Sequence, residues 1–440
     1  MLFSCKATPV VQENINAIQK QAIVLIQSGR FNDASNLLLQ TVGRYPNEVT
    51  FWNLLGIAET EAGELAPAKR AFERGLELAP QSADLNENLG LLFFRNAEYV
   101  KAKIYLSIAV KLGSDKPGVR FSLAASNLRT GDPAKALQEL KSLEAELSGS
   151  SDYWEERGRA ELLSDAPSAQ TSFDRALALA PDNVAALNDA ATAAEKQGVD
   201  EKALAYLIRA RTLAPNDPVT LTHFGAVCIR RDLGLDAQDA LSRAYQLQPS
   251  NNAALYLLAR AKISLQNWQQ AYDLFEQLSH RASQFAPAYY AMGWLDIRLN
   301  RLEDARVQLK HALALDPSLG GAAYELAQLE FDDGQLDSAE KLLRTALAVH
   351  AGDAKANVLL GDILMRKGKL DEAETLLTAA VEHDPSLAAA HYKLSILFLR
   401  KHEPEQAEKE KSIASNLTNA AMQASKTQLK LVLPETESVH

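Results

Sequence analysis

Cysteine is almost absent: Cys5 and Cys228 are the only two among 440 residues, too far apart to suggest a disulfide framework or a metal cluster. Cys228 sits in the apolar run Ala226-Val227-Cys228-Ile229 and reads as an inert core thiol. Aromatic residues make up only 7 %, which speaks against a sheet-rich core. Basic charge is also short. The formal net charge of −10 argues against a general nucleic-acid clamp, because phosphate binding relies on clustered Lys and Arg. No apolar run approaches the ~18–20 residues that span a bilayer, and no basic-then-apolar leader opens the sequence as written. A phosphate-binding loop, an HExxH helix, a CxxC pair and a GxSxG elbow are all missing. The eight histidines are dispersed, and Asp332-Asp333-Gly334 reads as a hairpin turn rather than a metal ligand set. No enzyme activity, cofactor or metal is therefore expected.

Alanine and leucine, by contrast, recur throughout, and the alanines keep time. They occur at 34, 68, 102, 136, 169, 203, 237, 271, 305, 339, 373 and 407, every interval being 34 except the 33 between Ala136 and Ala169. A second series shares one phase: Pro46, Pro80, Pro181, Pro215, Pro249, Pro317 and Pro385. Ten residues after each comes a small residue, as at Gly56, Gly90, Gly225 and Ala327. Such a period is the mark of a repeat array rather than one large globule. Each unit holds two helical patterns of about 12–14 residues separated by a turn such as Ala62-Gly63-Glu64. Proline closes the second helix, since it can neither donate to the ladder nor continue the coil. The Asp, Asn or Ser after it, as in Pro181-Asp182-Asn183, is placed to cap the next helix. Large residues at Phe72, Phe173, Leu241, Leu309 and Leu377 are expected to fill the gap between one hairpin and the next. That series ends at Lys411, as befits a hairpin with nothing stacked beyond it.

These residues resemble the tetratricopeptide repeat (TPR). The second unit shows it best, with Trp52, Leu55, Gly56, Ala68, Phe72, Gly75 and Pro80 at the family's spacings. The resemblance implies an all-α fold, an α-solenoid wound as one continuous right-handed superhelix of about twelve hairpins. The organisation expected is an extension over 1–14, twelve repeats over 15–421, and a cap end with a loose tail over 422–440, Ser412 to about Thr427 forming an extra capping helix. The segment Pro117–Ala166 lacks the closing proline and carries the one-residue deletion; it reads as a bend or softer joint.

The family's use of such a superhelix implies a scaffold that holds a protein or peptide on a face lined by the first helices, at positions 2, 5, 9, 12 and 13 of the repeat. With each anchoring alanine set at position 20, position 13 is basic in seven units: Arg95, Arg129, Lys196, Arg230, Arg298, Arg366 and Arg400. Either these cations complement the end of their own helix dipole, or they form a basic track for an acidic peptide. The Lys and Asn set that some members use to grip a terminal carboxylate is not found in three consecutive repeats, and Asn88 appears isolated. Position 5 holds Tyr256, Tyr290 and Tyr324, and position 9 holds Arg260, Trp294 and Gln328. These six, flanked by Arg298, are the expected partner-binding residues, unless the tyrosines merely pack between hairpins. Tyr, Trp and Arg are the types that dominate interface energies. Two settings stay open. As written, the chain reads as a cytoplasmic adaptor. Leu2-Phe3-Ser4-Cys5, however, is similar to a lipobox. Were the start placed too far downstream, Cys5 would carry a lipid anchor and the chain would be a periplasmic or membrane-tethered assembly factor.

Overall fold

The computed structural model describes residues 9–432, and the side chains of 14–422. Cys5 and residues 433–440, the end of the tail expected to be loose, lie outside the described residues. Among those residues the chain forms 25 helices and no strand. They group into two compact units, Met1–Pro215 and Asn216–His440. Each unit is an α-solenoid of six hairpins in which consecutive helices pack together.

The helices start and stop where the side chains dictate. In the first unit Asn183 Oδ1 accepts from the Ala186 amide at 3.1 Å, and Ser82 and Asp132 cap their helices in the same way. Asp217, Asn251 and Asp353 do so in the second. Within the hairpins the turn is closed by one residue at positive φ, at 29, 63, 131, 198, 334 and 368, where the residue is glycine. At 97, 232, 266, 300 and 402 the same geometry is forced on Ala, Asp, Gln, Asn and His. The missing residue between Ala136 and Ala169 falls in one such turn. Ser151–Glu161 is followed by Leu162–Asp165 with no positive φ, so the deletion removed the left-handed residue and shortened the helix before it.

Close approach of the two helices in a hairpin rests on the small positions. Every alanine of the 34-residue series up to Ala373 is fully buried. A Cβ on Gly90 would stand 2.7 Å from Leu106, and one on Gly361 2.7 Å from Leu377. The large residues therefore press on the small residue of their own hairpin, a contact beyond the expected one between hairpins. They also join the following hairpin, as where Phe72 clusters with Leu85 and Leu89.

Two further expectations change. The segment read as a softer joint is packed: Tyr153 is fully buried and its hydroxyl donates to Leu140 O at 3.0 Å, while Trp154 Nε1 donates to Ser148 O at 2.8 Å. Arg157 lies over the Trp154 ring and pairs with Glu144 at 2.6 Å, holding the extra turn Glu144–Leu147 in place. Aromatic anchors outweigh the polar composition of that stretch. The cap expected as a separate helix is instead a continuation, the single helix Pro404–Val432. Lys411 is exposed on it, as expected of a hairpin with no successor on that side.

Candidate functional site

All seven expected partner-binding residues fall on first helices of the second unit: Asn252–Ser264, Ala286–Arg298 and Gly320–Asp332. The three tyrosines are half-buried, and each meets a different neighbour. Tyr256 packs edge-on to Phe275 and to Phe285, with centroids 5.8 and 5.6 Å away. Tyr290 runs its hydroxyl against the backbone of the next hairpin, 2.6 Å from where a Cβ on Gly321 would sit. Burial pushes the hydroxyls of Tyr290 and Tyr324 above the usual tyrosine range. Trp294 meets Trp268 edge-to-face at 5.7 Å, and the Arg298 guanidinium lies 4.4 Å from the Trp294 ring centre. Gln328 donates to Asp332 at 2.9 Å.

Tyr324 and Gln328 open a cavity of about 420 Å³ that continues past the expected stretch onto the next two first helices, Ala354–Arg366 and Ala388–Arg400. Its floor is apolar, built from Tyr324, Phe331, Val358, Leu359 and Leu387. Lys355, Asp362 and Lys393 stand around it, with Lys393 Nζ 2.7 Å from Asp362. The Arg366 guanidinium covers the Phe331 ring at 4.0 Å. Beside it the Glu325 carboxyl is pushed above its ordinary range by burial, partly offset by Arg298 and Lys355. Repeat arithmetic does place Tyr324, Gln328, Phe331, Lys355, Val358 and Asp362 at inward positions. Following the aromatic series missed the second half of this cavity, because Val358 stands where a fourth tyrosine would be.

Sequence profiles described as tetratricopeptide repeat match residues 20–68, 61–117 and 163–218, and again 235–295, 296–363 and 330–397. Together they cover well over half of the chain. The chain belongs to the tetratricopeptide-repeat family. Among individual relatives, Protein FlbA of Caulobacter vibrioides is 28 % identical over 187 residues, which is 42 % of this chain and 31 % of that protein. The chain thus matches less than a third of that relative's length. Among solved structures, the yeast Tom70 covers 97 % of this chain and 98 % of its own at 16 % identity, TM-score 0.43. The Cut9-Hcn1 hetero-tetramer of the APC/C covers 94 % and 90 % at 16 % identity, TM-score 0.46. YrrB, described as a TPR protein with an unusual peptide-binding site, covers 42 % of this chain and 95 % of its own at 17 % identity, TM-score 0.38.

The position-13 cations of this TPR chain divide into two groups. Several are tied to the repeat before or after them. Arg95 pairs with Glu61 at 2.8 Å, and Arg129 forks onto both Glu156 oxygens at 2.6 and 2.5 Å. Lys196 Nζ donates to Leu162 O at 3.0 Å and Arg400 to Met365 O at 2.9 Å, each neutralising the carbonyl end of the preceding first helix. These two cations thus serve the carbonyl end of the neighbouring repeat's first helix. Arg298 and Arg366 behave otherwise, their guanidinium groups sitting over rings of the first-helix face. Asn88 is not isolated: its amide donates to Asn53 Oδ1 at 2.8 Å. Among the described residues no helix is long and apolar enough to cross a membrane, and no group of three or more His, Cys, Asp or Glu is placed to hold a metal.

Proposed function

We propose that this chain is a non-catalytic scaffold that binds a protein or peptide on the first-helix face of its second unit. The site runs from Tyr256 and Arg260 through Tyr290, Trp294 and Arg298 to Tyr324 and Gln328, and on into the cavity that Lys355 and Lys393 flank. The observation that carries the reading is that cavity. An apolar floor ringed by a few polar groups, on a face where aromatic and arginine side chains keep part of their surface open, is what a partner's anchor side chain needs. The description of YrrB as a peptide-binding TPR protein agrees with it in kind.

The experiment pairs Tyr290→Ala with Trp294→Ala in one variant and Tyr324→Ala in another. Partners are captured from the native organism with the wild-type chain, and binding is then measured with the purified partner. Folded variants, verified by circular dichroism, should lose about 2 kcal/mol or more of binding at hot-spot positions. Wild-type affinity in both folded variants sinks the assignment of the face. The second setting, a lipid-tethered assembly factor, rests on Leu2-Phe3-Ser4-Cys5 alone. Mass spectrometry of the protein from its native cell decides it, through the presence or absence of a thioether-linked lipid on Cys5.

A further inference from the structure

Cations on the first-helix face of the second unit are unequally occupied. Lys393 is held by Asp362, and Arg400 by the Met365 carbonyl. Arg260, Arg298 and Arg366 lie instead over Tyr256, Trp294 and Phe331, with ring centres 5.9, 4.4 and 4.0 Å away. Among the described residues Arg260 and Arg298 form no ion pair, and the carboxylate nearest Arg366 is Asp362 at 3.9 Å, already taken by Lys393. Lys355, on the cavity rim, likewise has no ion-pair partner.

A guanidinium seated over a ring is attracted to the ring face, and its N–H groups not used there can still meet a carboxylate, in bidentate fashion where the geometry allows. Such an arginine has lost most of its rotamer freedom before any ligand arrives, so less is lost on binding. The pattern is local. The chain as a whole carries −10, and in the first unit the matching cations Arg95 and Arg129 are spent on Glu61 and Glu156. Five successive first helices, set roughly 10 Å apart, make a row of about 40 Å, the length of roughly twelve extended residues.

Resting on the scaffold reading above, we infer that the ligand of this face is an extended acidic peptide with one bulky apolar residue. The apolar side chain seats in the cavity on Phe331, Val358 and Leu359. Carboxylates on either side of it meet Lys355 and Arg366, and those further along meet Arg298 and Arg260. Among the described residues Arg260 has no ion pair, Arg298 and Lys355 feel the half-buried Glu325 only at longer range, and Arg366 shares Asp362 with Lys393, so a neutral or basic peptide would leave this row of positive charge unmatched. Binding should weaken steeply with salt, because the rim charges are exposed and screened.

The test uses the full chain and a display library of random peptides of about that length, followed by fluorescence anisotropy of the enriched sequences as labelled synthetic peptides. Enriched peptides should carry several Asp or Glu around one Leu, Ile, Met or Phe. The exposed changes Lys355→Glu and Arg366→Glu, made together in a chain whose circular dichroism is unchanged, should weaken them about tenfold or more. Reversing the peptide's acidic residues to lysine should restore binding to that variant and abolish it with the wild type. If the enriched peptides are neutral or basic, or are indifferent to the double charge reversal yet lost in Tyr324→Ala, the ligand class is wrong and the face stands. If no enriched peptide depends on Tyr324, Lys355 or Arg366, both the ligand and the site are overturned.

Discussion

Asp296 is 0 % exposed, neither carboxylate oxygen has a hydrogen-bond partner, and the nearest guanidinium, that of Arg301, stands 3.8 Å away. Burial, with Asp304 adding to it and Arg301 opposing, raises its carboxyl to about 6. The folded chain therefore holds a proton that the unfolded chain releases near pH 4. Stability conferred by protonation is present below about pH 4 and is lost as pH rises towards 6; above that the charged form carries the full penalty. At about 1.4 kcal/mol per pH unit, the shift amounts to roughly 3 kcal/mol. Asp296→Asn keeps the shape and removes the charge. Thermal melts should show it more stable than the wild type by about 1–3 kcal/mol at pH 7.5, with the gap closing by pH 4. Equal melting temperatures at both pH values would show that Asp296 finds a partner in solution. Nothing in the sequence marks this residue, because its burial depends on which face of Ala286–Arg298 turns inward at that point. The same holds for most of the cations: position 13 is legible as basic and the Arg298–Trp294 contact is one turn within a helix, but whether Arg95, Arg400 or Arg366 meets Glu61, a carbonyl or Phe331 is decided a whole repeat away.

Hairpins, by contrast, were legible almost entirely, since period, proline and small residues agree at every level. What the pattern hides is the cost inside some turns. The turn after Asn252–Ser264 closes with Asn267 N–H on Lys262 O at 2.9 Å, and Gln266 sits at φ 58° to allow it. A residue with a Cβ is disfavoured there by about 1–2 kcal/mol, whereas glycine accepts the conformation freely. Gln266→Gly should therefore stabilise the second unit by about 0.5–1 kcal/mol after the added unfolded-state entropy of glycine is subtracted. Urea titration measures this as a raised midpoint. A lowered midpoint would mean that the Gln266 side chain contributes more than its strained backbone costs. The deletion near Asp165 was legible as a one-residue gap, but not as the loss of a left-handed residue. The segment Pro117–Ala166 reads as a softer joint because composition does not show that Tyr153 reaches back to Leu140 and Trp154 to Ser148.

For the molecule as a whole, a chain of hairpins that each touch only near neighbours should behave as a nearly one-dimensional system. Ala305 decides how closely Ala286–Arg298 and Leu302–Leu315 approach; it is fully buried, and the same hairpin has Leu309 2.7 Å from where a Cβ on Gly293 would sit. Adding three carbons there leaves no neighbour able to give way cheaply, so Ala305→Leu should cost about 1–3 kcal/mol. In a single-core protein that loss would lower protection everywhere, because unfolding is shared by all residues. Here it should appear first within the mutated hairpin and its two neighbours, roughly from Asn252–Ser264 to Leu336–Val349, where the packing partners lie. Hydrogen exchange read by mass spectrometry separates the cases. Faster exchange confined to those helices, with Leu370–His383 and Leu65–Leu78 at wild-type rates, is the expected result. A uniform increase over all repeats would mean that the array unfolds as one cooperative block, and that the nearest-neighbour description fails for this chain.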